Sequence, residues 1–149
     1  MQALFAALQH NTVCKTLYSS GHSISLKATG QLASLLQHNG TITHLCVGDT
    51  SFSDDGLSVL SNGLEAPTCG LQSLDLENKG LSAKGLADLV PKIAHNTSLT
   101  SLTLSRNDFS GAGFQGLAAA ACSVRELRLS HCHLTGDSLT DGALIIHVP

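Results

Sequence analysis

An eleven-residue pattern of apolar and polar residues recurs along the sequence, and this recurrence limits the fold more than any other feature. Its clearest copy is Leu99–Phe109, L-T-S-L-T-L-S-R-N-D-F, which has apolar residues at the first, fourth, sixth and eleventh places and Asn107 at the ninth. Four further copies follow the same frame: Val124–Leu134, Leu71–Leu81, Ile42–Phe52 and the weaker Cys14–Ile24. Their first places are separated by 28, 29, 28 and 25 residues. Five copies in register predict a protein built of stacked repeats.

Each repeat is predicted to contain a strand followed by a helix. The fourth and sixth places lie two residues apart, so their side chains share one face of a strand. The small polar group at the ninth place is predicted to satisfy backbone groups where the chain leaves the strand. The helices are predicted from apolar residues at helical spacing. The inward-facing helix residues are expected to be Leu32, Leu35, Leu36, Leu57, Leu60, Leu64, Leu86, Leu89, Val90, Ile93, Phe114 and Leu117.

Several positions depart from this pattern. Lys79, Thr50 and His22 hold ninth places, where the clearest copies have Asn or Cys. Because a lysine side chain cannot accept a hydrogen bond, we expect a different turn there, with Asn78 as the substitute. Pro91 falls inside a predicted helix, where it removes a backbone donor and predicts a kink.

The period divides the chain into three parts. Residues 1–11 match the helical half of a repeat, with Leu4, Phe5 and Leu8 on one side of a helix, residues 12–139 hold about five repeats, and residues 140–149 form a divergent tail. A stacked array needs a polar cover at its ends, and an open strand edge invites pairing. We therefore expect a fragment or short form of a larger protein, or self-association through the uncapped ends.

Repeats of 28 or 29 residues leave room for a full helix opposite each strand. In this respect residues 12–139 resemble the ribonuclease-inhibitor type of leucine-rich repeat. The resemblance implies an α/β fold, a right-handed solenoid with parallel strands on the concave face and helices on the convex face. It also implies an intracellular protein. Two short segments, A-A-L-Q-H-N at residues 6–11 and D-L-E-N-K-G-L at residues 75–81, are similar to the repeats of CARMIL-type actin regulators.

Composition excludes several classes of function. The formal net charge is -3 with a pI near 6.2, which argues against nucleic-acid binding. The five cysteines are an odd number without C-x-x-C spacing, which suits a reducing compartment. No secretory signal and no apolar run of membrane-spanning length is recognisable in the sequence. We therefore expect a cytoplasmic protein without a membrane span.

The non-core places of the strands are predicted to project from the concave face or its rim. The residues expected there to bind a protein partner are Tyr18, His44, Cys46, Asp49, Asp75, Glu77, Thr103, Arg106, Arg128 and His131. Acidic residues cluster in the middle of this strip, whereas Arg106, Arg125 and Arg128 cluster toward the C-terminal end. Such a gradient could orient a partner electrostatically, although the mixed charge of any solvated strand explains it equally well.

No catalytic, cofactor-binding or metal-binding residues are predicted. His10, His38 and His95 each precede an asparagine at one phase of the repeat and are therefore interpreted as turn residues. The run His131-Cys132-His133 looks like a metal cluster, but Cys132 holds a ninth place and alternate strand residues face opposite ways. Cys46 is expected to be the one exposed thiol on the sheet, with Asp75 beside it arguing against reactivity.

A non-enzymatic scaffold that binds proteins through its concave face is the leading hypothesis, because solenoids offer large rigid surfaces. The resemblances leave two alternatives open. One is a cytoskeletal regulator of the CARMIL type. The other is a GTPase-activating protein, since Ran GTPase activators resemble this repeat type, as do innate-immune receptors of the nucleotide-binding type.

Overall fold

The computed structural model describes residues 1–111, 124–134 and 143–147. Its helices are α1 Gln2–Leu8, α2 Leu26–His38, α3 Ser53–Leu64 and α4 Ala83–Ile93. Its strands are β1 Thr16–Ser20, β2 His44–Gly48, β3 Ser73–Asp75, β4 Ser101–Thr103, β5 Glu126–Ser130 and β6 Ala143–His147. The helix predicted around Phe114 and Leu117 lies outside the described residues. Among the described helices, none is long and apolar enough to cross a membrane.

The six described strands form one sheet in chain order, and β1 to β5 pair in parallel. Each step across the sheet advances by one repeat, so that Leu17 pairs with Leu45 and Leu74 pairs with Leu102. The helices pack beside one another in the same order, α1 on α2, α2 on α3 and α3 on α4. This arrangement confirms the predicted α/β solenoid, with its strands in one layer and its helices in the other.

The core lies between the sheet and the helices. Leu74, Leu76, Leu102 and Leu104 at the fourth and sixth places have no exposed surface. The predicted helix residues are buried as well, with Val90 partly buried: Leu32, Leu35, Leu36, Leu57, Leu60, Leu64, Leu86, Leu89 and Ile93. Burying one such side chain stabilises a fold by about 1.5–3 kcal/mol. Within the predicted helix α1, Phe5 is buried and Leu8 is partly buried against the core, whereas Leu4 is exposed.

A polar side chain at the ninth place joins each of the later repeats to the repeat before it. Asn107 donates through Nδ2 to the carbonyl of Leu76 at 2.8 Å, and its Oδ1 accepts from the backbone N–H of Lys79 at 2.9 Å. Cys132 donates through Sγ to the carbonyl of Leu104 at 3.4 Å. The predicted role of the ninth place is therefore confirmed, and its main acceptor lies in the neighbouring repeat.

Lys79 performs this role with a longer side chain. It is buried, and its Nζ donates to the carbonyl of Gly48 at 2.9 Å and to Ser20 Oγ at 3.0 Å. The expectation that Asn78 takes over was wrong, since Asn78 is exposed and has a φ of 54°. Lys79 thus supplies the donor half of the asparagine pattern to the preceding repeat.

A second set of asparagines joins the repeats at the loops before the strands. Asn39 donates through Nδ2 to the carbonyl of Asn11 at 2.8 Å, and Asn96 donates to the carbonyl of Leu64 at 2.7 Å. The Oδ1 atoms of Asn11, Asn39 and Asn96 each accept the backbone N–H groups two and three residues further on. These contacts confirm the predicted turns at this phase of the repeat.

Local sequence explains where the helices start and stop. The hydroxyl of Ser25 accepts from the backbone of α2, and that of Ser82 accepts from the backbone of α4, which is ordinary N-capping. α3 begins at Ser53, in the predicted Ser-Asp-Asp-Gly segment. Pro91 does not end α4, which continues to Ile93. The helix loses one backbone donor at Pro91, two residues before its last residue.

β6 is the one described strand that runs against its neighbour. It pairs with β5 in antiparallel register, with Arg128 opposite Ile145 and Ser130 opposite Ala143. It falls in residues 140–149, which the repeat pattern leaves as a divergent tail. The sequence A-L-I-I-H carries no repeat signal, so its pairing along the edge of β5 was not predictable from the period.

Ser19 provides a test of the core. It holds a sixth place, where the other repeats have Val47, Leu76, Leu104 and Leu129, and its buried hydroxyl has no hydrogen-bond partner. Ser19→Val should raise the free energy of unfolding by about 1 kcal/mol, because it removes an unsatisfied buried hydroxyl. Ser105→Val is the matched control, since Ser105 Oγ accepts the backbone N–H of Ser130 at 3.1 Å and its loss should lower stability. Urea unfolding measures both, and equal effects would contradict this account.

Candidate functional site

The strand register assembles two rows of side chains across the concave face of the sheet. The fifth-place row is Tyr18, Cys46, Asp75, Thr103 and Arg128, as the sequence predicts. The third-place row is Thr16, His44, Ser73, Ser101 and Glu126. β6 extends the fifth-place row, because Ile145 pairs with Arg128. Residues scattered over more than a hundred positions of sequence are thus neighbours on one surface.

A shallow depression of about 400 Å³ lies over the two rows. Tyr18 and His44 line it on one side, and Glu126 and Arg128 line it on the other. The floor between them consists of short polar side chains, among them Ser73, Ser101 and Thr103. Short hydroxyl side chains leave room for a partner and can both donate and accept hydrogen bonds.

Exposed apolar side chains stand at both ends of the fifth-place row. Tyr18 on β1 is 69% exposed and Ile145 on β6 is 49% exposed. With neighbouring strands about 4.8 Å apart, five steps place them roughly 24 Å from one another. Large side chains at this separation can each occupy a pocket on a partner, and the polar residues between them can set its orientation.

The acidic residues of the strip meet in a pocket of about 320 Å³. Asp49, Asp75 and Glu77 line it, together with the buried Lys79, which confirms that these acidic side chains cluster. The hydroxyl and backbone N–H of Ser51 donate to the Asp49 carboxylate and hold its pKa below the ordinary value. These hydrogen bonds favour the ionised form of Asp49.

The basic residues are tied to the acidic ones by two surface ion pairs. Arg106 Nε lies 3.0 Å from the Glu77 carboxylate, and Arg128 lies 2.7 Å from the Glu126 carboxylate. Exposed pairs of this kind contribute at most about 1 kcal/mol. A partner can therefore exchange them for its own charged groups at little cost. The sequence predicts acidic residues in the middle of the strip and basic residues toward its C-terminal end. The ion pair between Arg106 and Glu77 joins these two groups, so the change from acidic to basic is not a smooth gradient.

Cys46 is not exposed, contrary to the expectation from the sequence. Only 5% of the residue is accessible, between Tyr18 and Asp75 in the fifth-place row. Burial raises the pKa of its thiol, and the negative charge of Asp75 raises it further. Alternation along the strand correctly predicts the face on which Cys46 lies. It does not predict that larger neighbours cover so short a side chain, so Cys46 contributes little contact surface.

The rim of the concave face contains residues in the left-handed backbone region, which the sequence analysis missed. The eighth places of four repeats have positive φ: Gly21 at 82°, Asn78 at 54°, Arg106 at 60° and His131 at 54°. A non-glycine residue pays about 1–2 kcal/mol in this region. Gly21 and Asn78 hold equivalent eighth places, and glycine and asparagine are the residue types that adopt positive φ most readily. These two residues could have predicted the left-handed backbone at this place. Arg106 and His131 are thus held exposed on the rim at an energetic cost.

The side chains of His131, Cys132 and His133 do not lie together, as the repeat frame predicts. Cys132 is buried, whereas both histidines are exposed and have positive φ. Across residues 1–111, 124–134 and 143–147, no group of three or more His, Cys, Asp or Glu side chains is placed to hold a metal ion.

Comparison with known proteins identifies the repeat. A family model described as Leucine Rich repeat matches residues 95–118 and 120–140. Ribonuclease inhibitor of Sus scrofa is 36% identical over 123 residues, and NACHT, LRR and PYD domains-containing protein 14 of Mus musculus is 35% identical over 108 residues. The chain is a ribonuclease-inhibitor-like leucine-rich-repeat protein. These two matches cover 80% and 70% of the chain, but only 27% and 11% of the respective relatives.

The same fold occurs in a solved structure of low sequence similarity. The structure titled Leiomodin-1 Actin-Binding Site 2 superimposes with a TM-score of 0.70 over 84% of this leucine-rich-repeat chain and 76% of its own, at 13% identity. This likeness extends to the fold alone. The chain therefore shares its architecture with proteins of several named kinds.

Thiol labelling tests the position of Cys46. In a Cys122→Ser background, Cys14 should react with iodoacetamide at pH 8 at least tenfold faster than Cys46 or Cys69, because Cys14 is partly exposed and burial raises the pKa of the other two thiols. Peptide mass spectrometry measures the rates. In urea the three rates should converge, and fast labelling of Cys46 in the native protein would contradict its burial.

Proposed function

We propose that this leucine-rich-repeat chain is a non-enzymatic scaffold that binds a protein partner through its concave face. The observation that supports this most directly is the fifth-place row, in which polar and charged side chains stand between the exposed Tyr18 and Ile145. The contact residues we propose are Tyr18, His44, Asp75, Glu77, Thr103, Arg106, Arg128 and His131, with Asp49 in the acidic pocket and Cys46 beneath the surface.

The physical basis is that the sheet orders these side chains before a partner arrives. Parallel pairing fixes their spacing, and ninth-place hydrogen bonds tie the repeats of β3, β4 and β5 to the previous repeat. A preorganised surface loses little conformational entropy on binding, which leaves more of the contact energy as affinity. One relative is named for the inhibition of ribonuclease, itself a protein, and this supports a role in protein binding. We propose a cytoplasmic location on the same basis.

Two other functions are the alternatives: a cytoskeletal regulator of the CARMIL type and a Ran-type GTPase-activating protein. The name of leiomodin's actin-binding site is compatible with the first, but at 13% identity it reflects the fold. A Ran turnover assay with GTP separates the second from the scaffold. Acceleration of hydrolysis by the purified chain would contradict a non-enzymatic role.

The proposed surface is tested by affinity capture from a cytoplasmic extract. The variant Tyr18→Ala/Asp75→Ala/Arg128→Ala should lose more than tenfold of the captured partner, because side chains at the centre of an interface carry most of the binding energy. Quantitative mass spectrometry measures recovery against the wild type. The matched control is Gln31→Ala/Lys84→Ala/Asp88→Ala, which changes exposed residues of the helical layer. Equal recovery by both triple variants would exclude the concave face.

Arg106 offers a variant in which binding and stability change in opposite directions. Arg106→Gly removes the guanidinium but relieves a φ of 60°, so the free energy of unfolding should rise or stay the same while partner recovery falls severalfold. Thermal unfolding and the same capture assay measure the two effects. A loss of stability would contradict the backbone argument, and unchanged recovery would remove Arg106 from the contact surface.

A further inference from the structure

Side chains from two adjacent repeats line a pocket of about 280 Å³ at the rim of the concave face, here called the rim pocket. Its lining includes the fifth, seventh and eighth places of both repeats, which are Thr103, Ser105, Arg106, Arg128, Ser130 and His131. The backbone N–H of Arg106 donates to the carbonyl of Ser130 at 2.7 Å, and that of Leu104 donates to the carbonyl of Arg128 at 2.9 Å. These backbone hydrogen bonds hold the two sets of side chains next to each other.

Both arginines of the rim pocket keep unused hydrogen-bond donors. Arg106 contacts the Glu77 carboxylate through Nε at 3.0 Å, and Arg128 contacts the Glu126 carboxylate through Nε and Nη2, each at 2.7 Å. Within the described part of the chain, neither terminal nitrogen of Arg106 nor Nη1 of Arg128 has a hydrogen-bond partner. A guanidinium group presents its N–H donors in a fixed fork. The remaining donors can therefore bind an anion without breaking either ion pair.

Ser105 places a further donor in the rim pocket. The residue is only 7% exposed, and its Oγ accepts the backbone N–H of Ser130 at 3.1 Å. Its hydroxyl hydrogen has no acceptor among residues 1–111, 124–134 and 143–147. Because nearly all buried polar groups in proteins are paired, this hydroxyl indicates a ligand with acceptor oxygens. Thr103 and Ser130 line the same pocket with hydroxyls that can also donate.

The charges around the rim pocket favour a single anionic group over a polyanion. Two guanidinium groups and the exposed His131 line it, together with the carboxylate of Glu77. It shares Glu77 with the neighbouring acidic pocket of Asp49 and Asp75, and the whole chain carries a formal charge of -3. A nucleic-acid strand or an anionic membrane would bring many negative charges against these carboxylates. One phosphoryl group would not, and its three terminal oxygens and charge of about -2 match donors on several sides.

We propose that the rim pocket binds the phosphoryl group of a phosphorylated side chain on a protein partner. The terminal nitrogens of Arg106 and Nη1 of Arg128 donate to oxygens of that group, and the hydroxyl of Ser105 donates from the floor of the pocket. A carboxylate has two oxygens and a single charge, so it uses fewer of these donors. The inference rests on the proposed function, because it takes a protein to be the source of the phosphoryl group.

The direct test uses the full chain and three peptides of the acetylated and amidated sequence Gly-Ala-X-Ala-Gly. The central residue X is phosphoserine in the first peptide, serine in the second and glutamate in the third. In an NMR titration, the phosphoserine peptide should bind at least about tenfold tighter than the serine peptide and about threefold tighter than the glutamate peptide. The backbone signals of residues 103–106 and 128–131 should shift most.

Three variants locate the binding. Arg106→Gln should weaken binding of the phosphoserine peptide about tenfold, because it removes charge-assisted hydrogen bonds. The matched control Arg125→Gln changes an exposed arginine outside the pocket lining and should alter binding less than about twofold. Glu77→Gln should strengthen binding roughly threefold, because it removes a negative charge from the lining. Circular dichroism and urea unfolding show whether the variants remain folded.

Phosphatase treatment of the cytoplasmic extract tests whether a protein supplies the phosphoryl group. The wild type should capture about tenfold less partner from a treated extract than from one given heat-inactivated phosphatase. Capture by Arg106→Gln should already be low and should change little with treatment.

Several results would overturn the inference. They are equal binding of the phosphoserine and serine peptides, undiminished binding by folded Arg106→Gln, and undiminished capture from the treated extract. Inorganic phosphate that binds about tenfold tighter than the phosphoserine peptide would assign the pocket to the free anion. Cosedimentation with phosphatidylinositol phosphate vesicles that is lost in Arg106→Gln would assign it to a membrane.

The inference and the proposed function can fail separately. Loss of partner by Tyr18→Ala/Asp75→Ala/Arg128→Ala without any binding of the phosphoserine peptide would overturn the inference and support the concave-face scaffold. Binding of the phosphoserine peptide without that loss of partner would support the rim pocket and contradict the scaffold.

Discussion

The hydrogen bond from a core-facing polar side chain to a carbonyl of the preceding repeat is the contact on which the rest of this structure depends. Apolar burial supplies most of the stabilisation, but it has no direction and does not fix how far one repeat slides against another. Asn107 and Cys132 supply direction at the ends of the strands, and Asn39 and Asn96 supply it at the loops before them. Thr68, at the same loop phase, donates through Oγ1 to the carbonyl of Gln37. The repeats that contain Lys79 and Asn107 are thereby held to the preceding repeat at two points.

The fixed register of the strands also determines which residues lie side by side on the concave face. Because Asp75 pairs with Thr103 and Thr103 with Arg128, the spacing of their side chains is set by the sheet and not by flexible loops. The residues with a left-handed backbone at the rim also have fixed positions on this surface. Arg106 and His131 remain exposed in conformations that are costly for their residue types, and such costs are common where a surface is used for binding.

The sequence predicted the parts of the molecule that depend on local periodicity. The core leucines, both concave rows and the asparagine turns follow from a strand period of two, a helix period of 3.6 and a repeat of 28 or 29 residues. It failed where a neighbour in space decides the outcome. Cys46 is covered by the longer residues beside it, Lys79 reaches a carbonyl that no local pattern reveals, and β6 pairs antiparallel without any repeat signal.

The bond from Lys79 to Ser20 joins residues 59 positions apart, which places them two repeats from each other. Solenoids are usually treated as chains of units that sense only their immediate neighbours. Here one ammonium group contacts three units, because it also donates to the backbone carbonyl of Gly48 in the middle one. Modular engineering of residues 14–81 would therefore have to keep Ser20 and the carbonyl of residue 48 within reach of Lys79.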